Sequence, residues 1–155
     1  MKIRIPPPVI MLLAALLMWI LHRWLPVAHW VMAPWNRLGA LAAGLGVGTS
    51  LLALARFRQA QTTVNPLDPS KATRLVTDSV FGFSRNPMYL GLLLLLIGWA
   101  LWLGSASVWI LPPLFVVWIT YAQIVPEEQA LSQLFGAAYA AYRQRVGRWI
   151  GRRRP

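Results

Sequence analysis

Arg85, Asn86 and Pro87 stand together where a polar, basic stretch meets an apolar run, and Glu127-Glu128 stand directly after another apolar run. Proline has no N–H to lose and fixes φ near the helical value, so it suits a first helical position. Asparagine just before it is a favoured N-cap. The predicted helix start, with arginine beside it, makes a receptor for a carboxylate or phosphate. Twin carboxylates beside hydrocarbon are costly and point to function, and they receive cations. As plain structure the same residues read as a capped helix with a snorkelling arginine, and as Pro126 followed by two acids favoured by a helix dipole. Both readings are compatible with one another.

Elements that bring these groups together follow from the apolar runs. The chain has 155 residues, 57% hydrophobic and 12% charged, against about 25% charged in an ordinary soluble domain. An all-α integral membrane protein of one domain is expected, with four transmembrane helices at 9–25, 38–55, 88–103 and 108–125. Each is near the lower limit of about 17 residues for a crossing. A connector at 56–87 and an amphipathic helix at 127–150 complete the plan. In the latter, Leu131, Leu134, Phe135, Ala138, Tyr142, Val146 and Trp149 recur at three- and four-residue steps. Only Gly104-Ser105-Ala106-Ser107 joins the third and fourth spans, so they must form a hairpin. That hairpin returns Arg85 and Glu127 to one side of the membrane, an anion receptor facing a cation receptor. A ligand with both charges, such as an amino-acid-bearing sulfonium, suits the pair.

Charge fixes the expected orientation. With the N-terminus inside, thirteen of the fifteen lysines and arginines fall in inner segments, leaving Arg23 and Arg37 outside, which is the bias that orients membrane proteins. Lys2 and Arg4 before an apolar run resemble a signal peptide, but Pro6-Pro7-Pro8 interrupts it and no cleavage pattern follows, so a retained helix is expected. Both termini are expected in the cytoplasm, in a bacterial inner membrane. The net charge of +11 is clustered beside apolar runs, which suits anionic lipid rather than nucleic acid. Without cysteine, disulfides, thiolate nucleophiles and thiolate metal sites are excluded, and no metal is expected. Gly44 and Gly48, extended by Ala40, form a small-residue row for packing against a neighbouring helix; their spacing does not fit a dinucleotide fingerprint.

"LVTDSVFGFSRNPMYLG" followed by "PEEQALSQLFGAAYAAYRQRVGRWI" resembles the isoprenylcysteine carboxyl methyltransferase family of integral-membrane enzymes, with related features in phospholipid N-methyltransferases. The resemblance covers residues 62–150 and rests on the combination of R-N-P-x-Y-x-G, a span pair, paired glutamates and G-x-x-Y-x-x-Y. It implies S-adenosylmethionine bound in a cytoplasmic pocket roofed by the connecting and C-terminal segments. Carried over by position, it implies cofactor contacts from Thr73, Leu75, Val76, Phe81, Asn86, Pro87, Met88, Tyr89 and Glu127. Two positions depart from the family. Ser79 replaces a usual glycine. Gln123 replaces an arginine that would hold a substrate carboxylate, which turns the substrate contact toward another lipophilic acceptor.

The function expected is methyl transfer to a lipophilic acceptor drawn from the bilayer, with membrane lipids as partners. Glu128 is the candidate general base for an amine or hydroxyl acceptor, and Arg85 orients cofactor or acceptor. Tyr139 and Tyr142 either close the pocket or pack. His22 and His29 lie on the far side. Alternatives are a phospholipid amine N-methyltransferase, a sterol-reductase-like membrane oxidoreductase, and a non-catalytic interaction protein.

Overall fold

The computed structural model describes residues 5–60 and 74–152. Among these the fold is all-helical: α1 (Pro7–Trp24), α2 (Leu38–Gln59), α3 (Pro87–Leu103), α4 (Leu111–Ile119) and α5 (Val125–Arg145). Three helical stretches are long and apolar enough to cross a membrane: Pro7–Trp24, Trp35–Gln59 and Ser107–Arg145; α3 is a shorter apolar helix. Seventeen residues span about 25 Å at 1.5 Å per residue.

Proline and glycine set the ends. α1 and α3 carry proline in their first turns, where no donor is lost. Pro26 follows the last residue of α1's cap and cannot continue the helix. α3 stops at Gly104, whose φ of 72° is the left-handed conformation that closes a helix. α4 and α5 are nearly continuous. A π-helical turn, Thr120–Ile124, joins them just ahead of Pro126, whose ring displaces the carbonyl four residues back and whose missing N–H would otherwise break the ladder. Within α5, Gly136 leaves helical geometry (φ 49°, ψ −121°). Of the amphipathic stripe expected over 127–150, Tyr142 and Val146 are buried and Leu131, Phe135 and Trp149 half-buried, whereas Leu134 and Ala138 are exposed and Tyr139, off that stripe, is buried. Helical backbone ends at Arg145, not 150. Val146 is extended, and the chain turns back so that Val146 pairs with Arg152.

Two clusters form the interior. The larger joins α1, α3 and α4 through Met18, Tyr89, Leu96, Ala100, Phe115 and Ile119. The smaller gathers Ala53 of α2, Phe81, and Tyr139, Tyr142 and Val146, at the end of the helices where α3 begins.

α2 and α3 form the most extensive helix pair, and it is built on glycine. A Cβ on Gly98 would lie 2.6 Å from the Gly39 carbonyl, and one on Gly46 would lie 2.6 Å from the Gly91 carbonyl. Backbones therefore touch along Gly39, Ala43, Gly46 and Ser50. This corrects the expected row. A Cβ on Gly44 or Gly48 would meet nothing within 4 Å, because the packed stripe is phased one helix face away, at steps of four and three.

Candidate active site

Arg85 emerges from the turn before α3 and is almost fully enclosed. Its Nη1 lies 2.8 Å from Glu128 Oε1 in α5 and donates to Tyr139 Oη at 3.2 Å. Glu128 is equally enclosed, with side-chain exposures of 6% for Arg85 and 8% for Glu128. Burying a carboxylate is tolerated only with strong compensation, and here it comes twice. Arg148, on the returning C-terminal segment, donates Nε to Oε1 at 3.0 Å and Nη2 to Oε2 at 2.7 Å, the bidentate geometry that guanidinium favours. Those bonds hold Arg148 still more firmly protonated than an ordinary arginine. The cluster thus has two cations for one anion. Arg85 Nε is buried with no partner among the described residues.

One turn of α3 and one residue of α5 away lies a second pair. Tyr89 Oη donates to Glu127 Oε1 at 2.5 Å, with Tyr89 buried and Glu127 half-buried. The hairpin expected from the short 104–107 link therefore brings the α3 start and the twin acids together, with Arg85 on Glu128 and Tyr89 on Glu127.

The remaining candidates divide by location. Asn86 does not cap α3 with its side chain; its Nδ2 donates to the Arg148 carbonyl at 3.0 Å, and its own N–H goes to Ser84 Oγ at 3.1 Å. Pro87 is buried at the first position of α3. Met88, Leu75 and Val76 pack on the smaller cluster. Phe81 is buried there, edge-on to Phe57 with ring centroids 4.9 Å apart, and its carbonyl accepts from Tyr142 Oη at 2.7 Å. Leu75 and Val76 also line a cleft of about 310 Å³ with Arg56, Gln59, Arg74 and Asp78. Thr73 lies outside the described residues. Ser79, where the family resemblance implies glycine, has φ 54°: the turn keeps the left-handed conformation that favours glycine, and the serine carries the Cβ strain.

Gln123 is buried within the π-helical turn. Its Nε2 donates to the Ile5 carbonyl at 3.0 Å. Since a carbonyl only accepts, this fixes the amide orientation and leaves Oε1 buried with no partner among the described residues.

Arg148 and Trp149, whose Nε1 donates to Thr120 Oγ1 at 3.2 Å, were not marked by the sequence as site residues. The available signal was charge: two adjacent acids beside an apolar span with one nearby arginine need a further cation. Among the described residues no group of three or more histidine, aspartate or glutamate side chains is placed to hold a metal.

Comparison with known proteins locates this arrangement. Residues 35–138 match the model of the phospholipid methyltransferase family. An uncharacterized protein of Haemophilus influenzae is 44% identical over 63 residues, 41% of this chain and all of that protein. Protein-S-isoprenylcysteine O-methyltransferase of Schizosaccharomyces pombe is 31% identical over 112 residues, covering 72% of this chain but 46% of the yeast protein. No solved structure matches significantly. The family match spans α2, α3, α4 and most of α5, including Arg85, Tyr89, Gln123 and both glutamates, and with it the chain belongs to the phospholipid methyltransferase family, a family of membrane methyltransferases.

Proposed function

We propose that this protein is an S-adenosylmethionine-dependent methyltransferase acting on a lipophilic acceptor, similar to isoprenylcysteine carboxyl methyltransferases. In this reading it has four spans, sits in a bacterial inner membrane with both termini in the cytoplasm, and holds its site at the cytoplasmic face. The observation that carries it is the juxtaposition of Tyr89–Glu127 with the net-positive Arg85–Glu128–Arg148 cluster at one end of the helices. These residues fit the amino-acid end of the methyl donor. Glu127, half-buried beside Tyr89, suits an ammonium, and the unpaired Arg85 Nε with its excess positive charge suits a carboxylate.

When bound, S-adenosylmethionine supplies an activated methyl group on a positive sulfur. The work of the chain is to bind, align and keep water out. Tyr89 fixes the Glu127 carboxylate, and Asn86 and Pro87 fix the start of α3. Glu128 takes a different part from the base first expected of it. Both its oxygens are spent on guanidinium groups, so we assign it to holding Arg85 and Arg148 in place. An ionised carboxylate acceptor needs no base, and an amine acceptor gives up its proton to solvent before attack.

One observation favours an amine acceptor as a second reading. The buried Gln123 Oε1 is an acceptor in need of a donor, and it would repel a substrate carboxylate.

Calorimetry of the detergent-solubilised protein with S-adenosylmethionine tests the site. Removing the charged partner in Glu127→Ala should cost about 1.5–3 kcal/mol, weakening binding roughly tenfold to a hundredfold, and Tyr89→Phe should fall between. Equal binding by all three proteins removes the proposed site. Labelled methyl transfer into a membrane-lipid extract then separates the acceptors: a base-labile methyl ester identifies a carboxylate, a base-stable product an amine.

A further inference from the structure

After α5 the chain does not simply trail away. Val146 turns extended, Gly147 N–H donates to the Gly151 carbonyl at 2.7 Å, and Val146 bridges to Arg152. Residues 147–152 thus close on themselves as one small loop. A glycine stands near each end. A Cβ on Gly147 would lie 2.4 Å from the Ile150 carbonyl, and Gly151 has φ 105°, a conformation side chains rarely permit.

This loop is fastened to the rest of the molecule almost wholly by polar contacts. It accepts from Arg85 N–H through the Gly147 carbonyl at 3.1 Å and donates from Gly151 N–H to the Phe83 carbonyl at 2.9 Å. The Arg148 carbonyl holds Asn86 Nδ2, and the Arg148 guanidinium grips Glu128. Trp149 is its one large apolar anchor, and Ile150 is exposed. Segments with few buried apolar contacts and partly exposed hydrogen bonds are those that open first.

The charge arrangement permits that opening. Removing one partner of a buried ion pair normally strands an uncompensated charge. Here Arg148 is 36% exposed, and its departure would leave Glu128 still paired with Arg85 at 2.8 Å. Opening would also release Asn86 Nδ2 and the Arg85 N–H, at the start of α3. We propose that residues 147–152 form a hinged lid, latched by Arg148 on Glu128, that opens to admit the methyl donor and closes over it. The inference rests on the reading of the site as a donor pocket. It gives Arg148 the part of a positioning residue, acting through Glu128 and the lid.

Hydrogen exchange of the full chain in detergent, without donor, tests the latch separately from the pocket. In Arg148→Gln, amides of 83–86 and 146–152 should exchange at least tenfold faster than in the wild type, while the interiors of α3 and α5 stay unchanged; Arg148→Lys should restore part of the protection. Donor association and dissociation should both quicken in Arg148→Gln. Equal exchange in the two proteins, or an increase spread over all helices, overturns the lid. A localised increase with unchanged donor rates overturns its role in access. Failure of the wild type to bind the donor at all removes the donor pocket while the exchange comparison still decides whether the latch exists.

Discussion

At the end of the helices where α3 begins, Arg85, Glu128 and Arg148 hold three separate elements together with ionised side chains. At the end where α3 stops, the joins are neutral. Trp30 N–H donates to the Gly104 carbonyl at 3.1 Å and Ala106 N–H to the Ala28 carbonyl at 2.8 Å. Ser105, fully buried, meets His22 Nδ1 at 2.5 Å, and Trp30 stands edge-on to Trp109. Both ends must close a chain reversal and satisfy exposed backbone groups. The neutral end does so with the cheapest means, backbone bonds and one hydroxyl. The ionic end buries a carboxylate and a guanidinium at high desolvation cost. Closure alone does not require that cost, and the contrast supports the proposed placement of the chemistry at the ionic end.

Glu128→Ala should break this contrast hardest. It leaves Arg85 buried and facing Arg148 without their shared counter-ion, and breaking a buried pair in this way costs about 3–5 kcal/mol. Chemical unfolding in detergent micelles measures it. A loss below about 1 kcal/mol would mean that the cluster is effectively solvated, like an exposed pair, and the two ends would not differ in kind.

Between the ends runs the α2–α3 seam, which ties their relative position to a glycine register. Gly98→Ala puts a Cβ 2.6 Å from the Gly39 carbonyl and 2.9 Å from Ala43 N. Overpacking of this sort costs about 1–3 kcal/mol. Gly44→Ala, on the open face, should be neutral or stabilise by up to about 1 kcal/mol through helix propensity. Thermal unfolding of the two variants side by side reads the register directly. A reversed order would show that Gly44 and Gly48 face a partner.

That register marks the limit of what the sequence displays. Small residues at 40, 44 and 48 and at 39, 43, 46 and 50 both fit a helical stripe, and only the docking of α3 selects between them. The helices themselves were legible, since proline and glycine punctuate long apolar runs. So was the meeting of Arg85 with the twin acids, because a four-residue link leaves the third and fourth apolar runs no arrangement but a hairpin. Arg148 was not. Its place depends on the kink at Gly136 and the reversal after Arg145, and helical periodicity carries straight through both. Asn86 was legible at the start of α3 but not in its bond, since a nearby carbonyl from a distant segment outcompetes the local cap.

The smallest effect belongs to the neutral end. Ser105→Ala removes one buried hydroxyl bond to His22, and a neutral hydrogen bond contributes about 1 kcal/mol net. No acidic side chain stands among the described residues of this end, so the loss should be the same at low and at high salt. Ions screen the links of the half-exposed Arg148 across a Debye length of about 10 Å at 0.1 M, and salt should therefore weaken the ionic end alone. Unfolding of wild type and Ser105→Ala over a salt series separates the two. A Ser105→Ala penalty that matches Glu128→Ala, or that shrinks with salt, would place comparable electrostatic weight at both ends. The buried ion cluster would then no longer distinguish the end assigned to the chemistry.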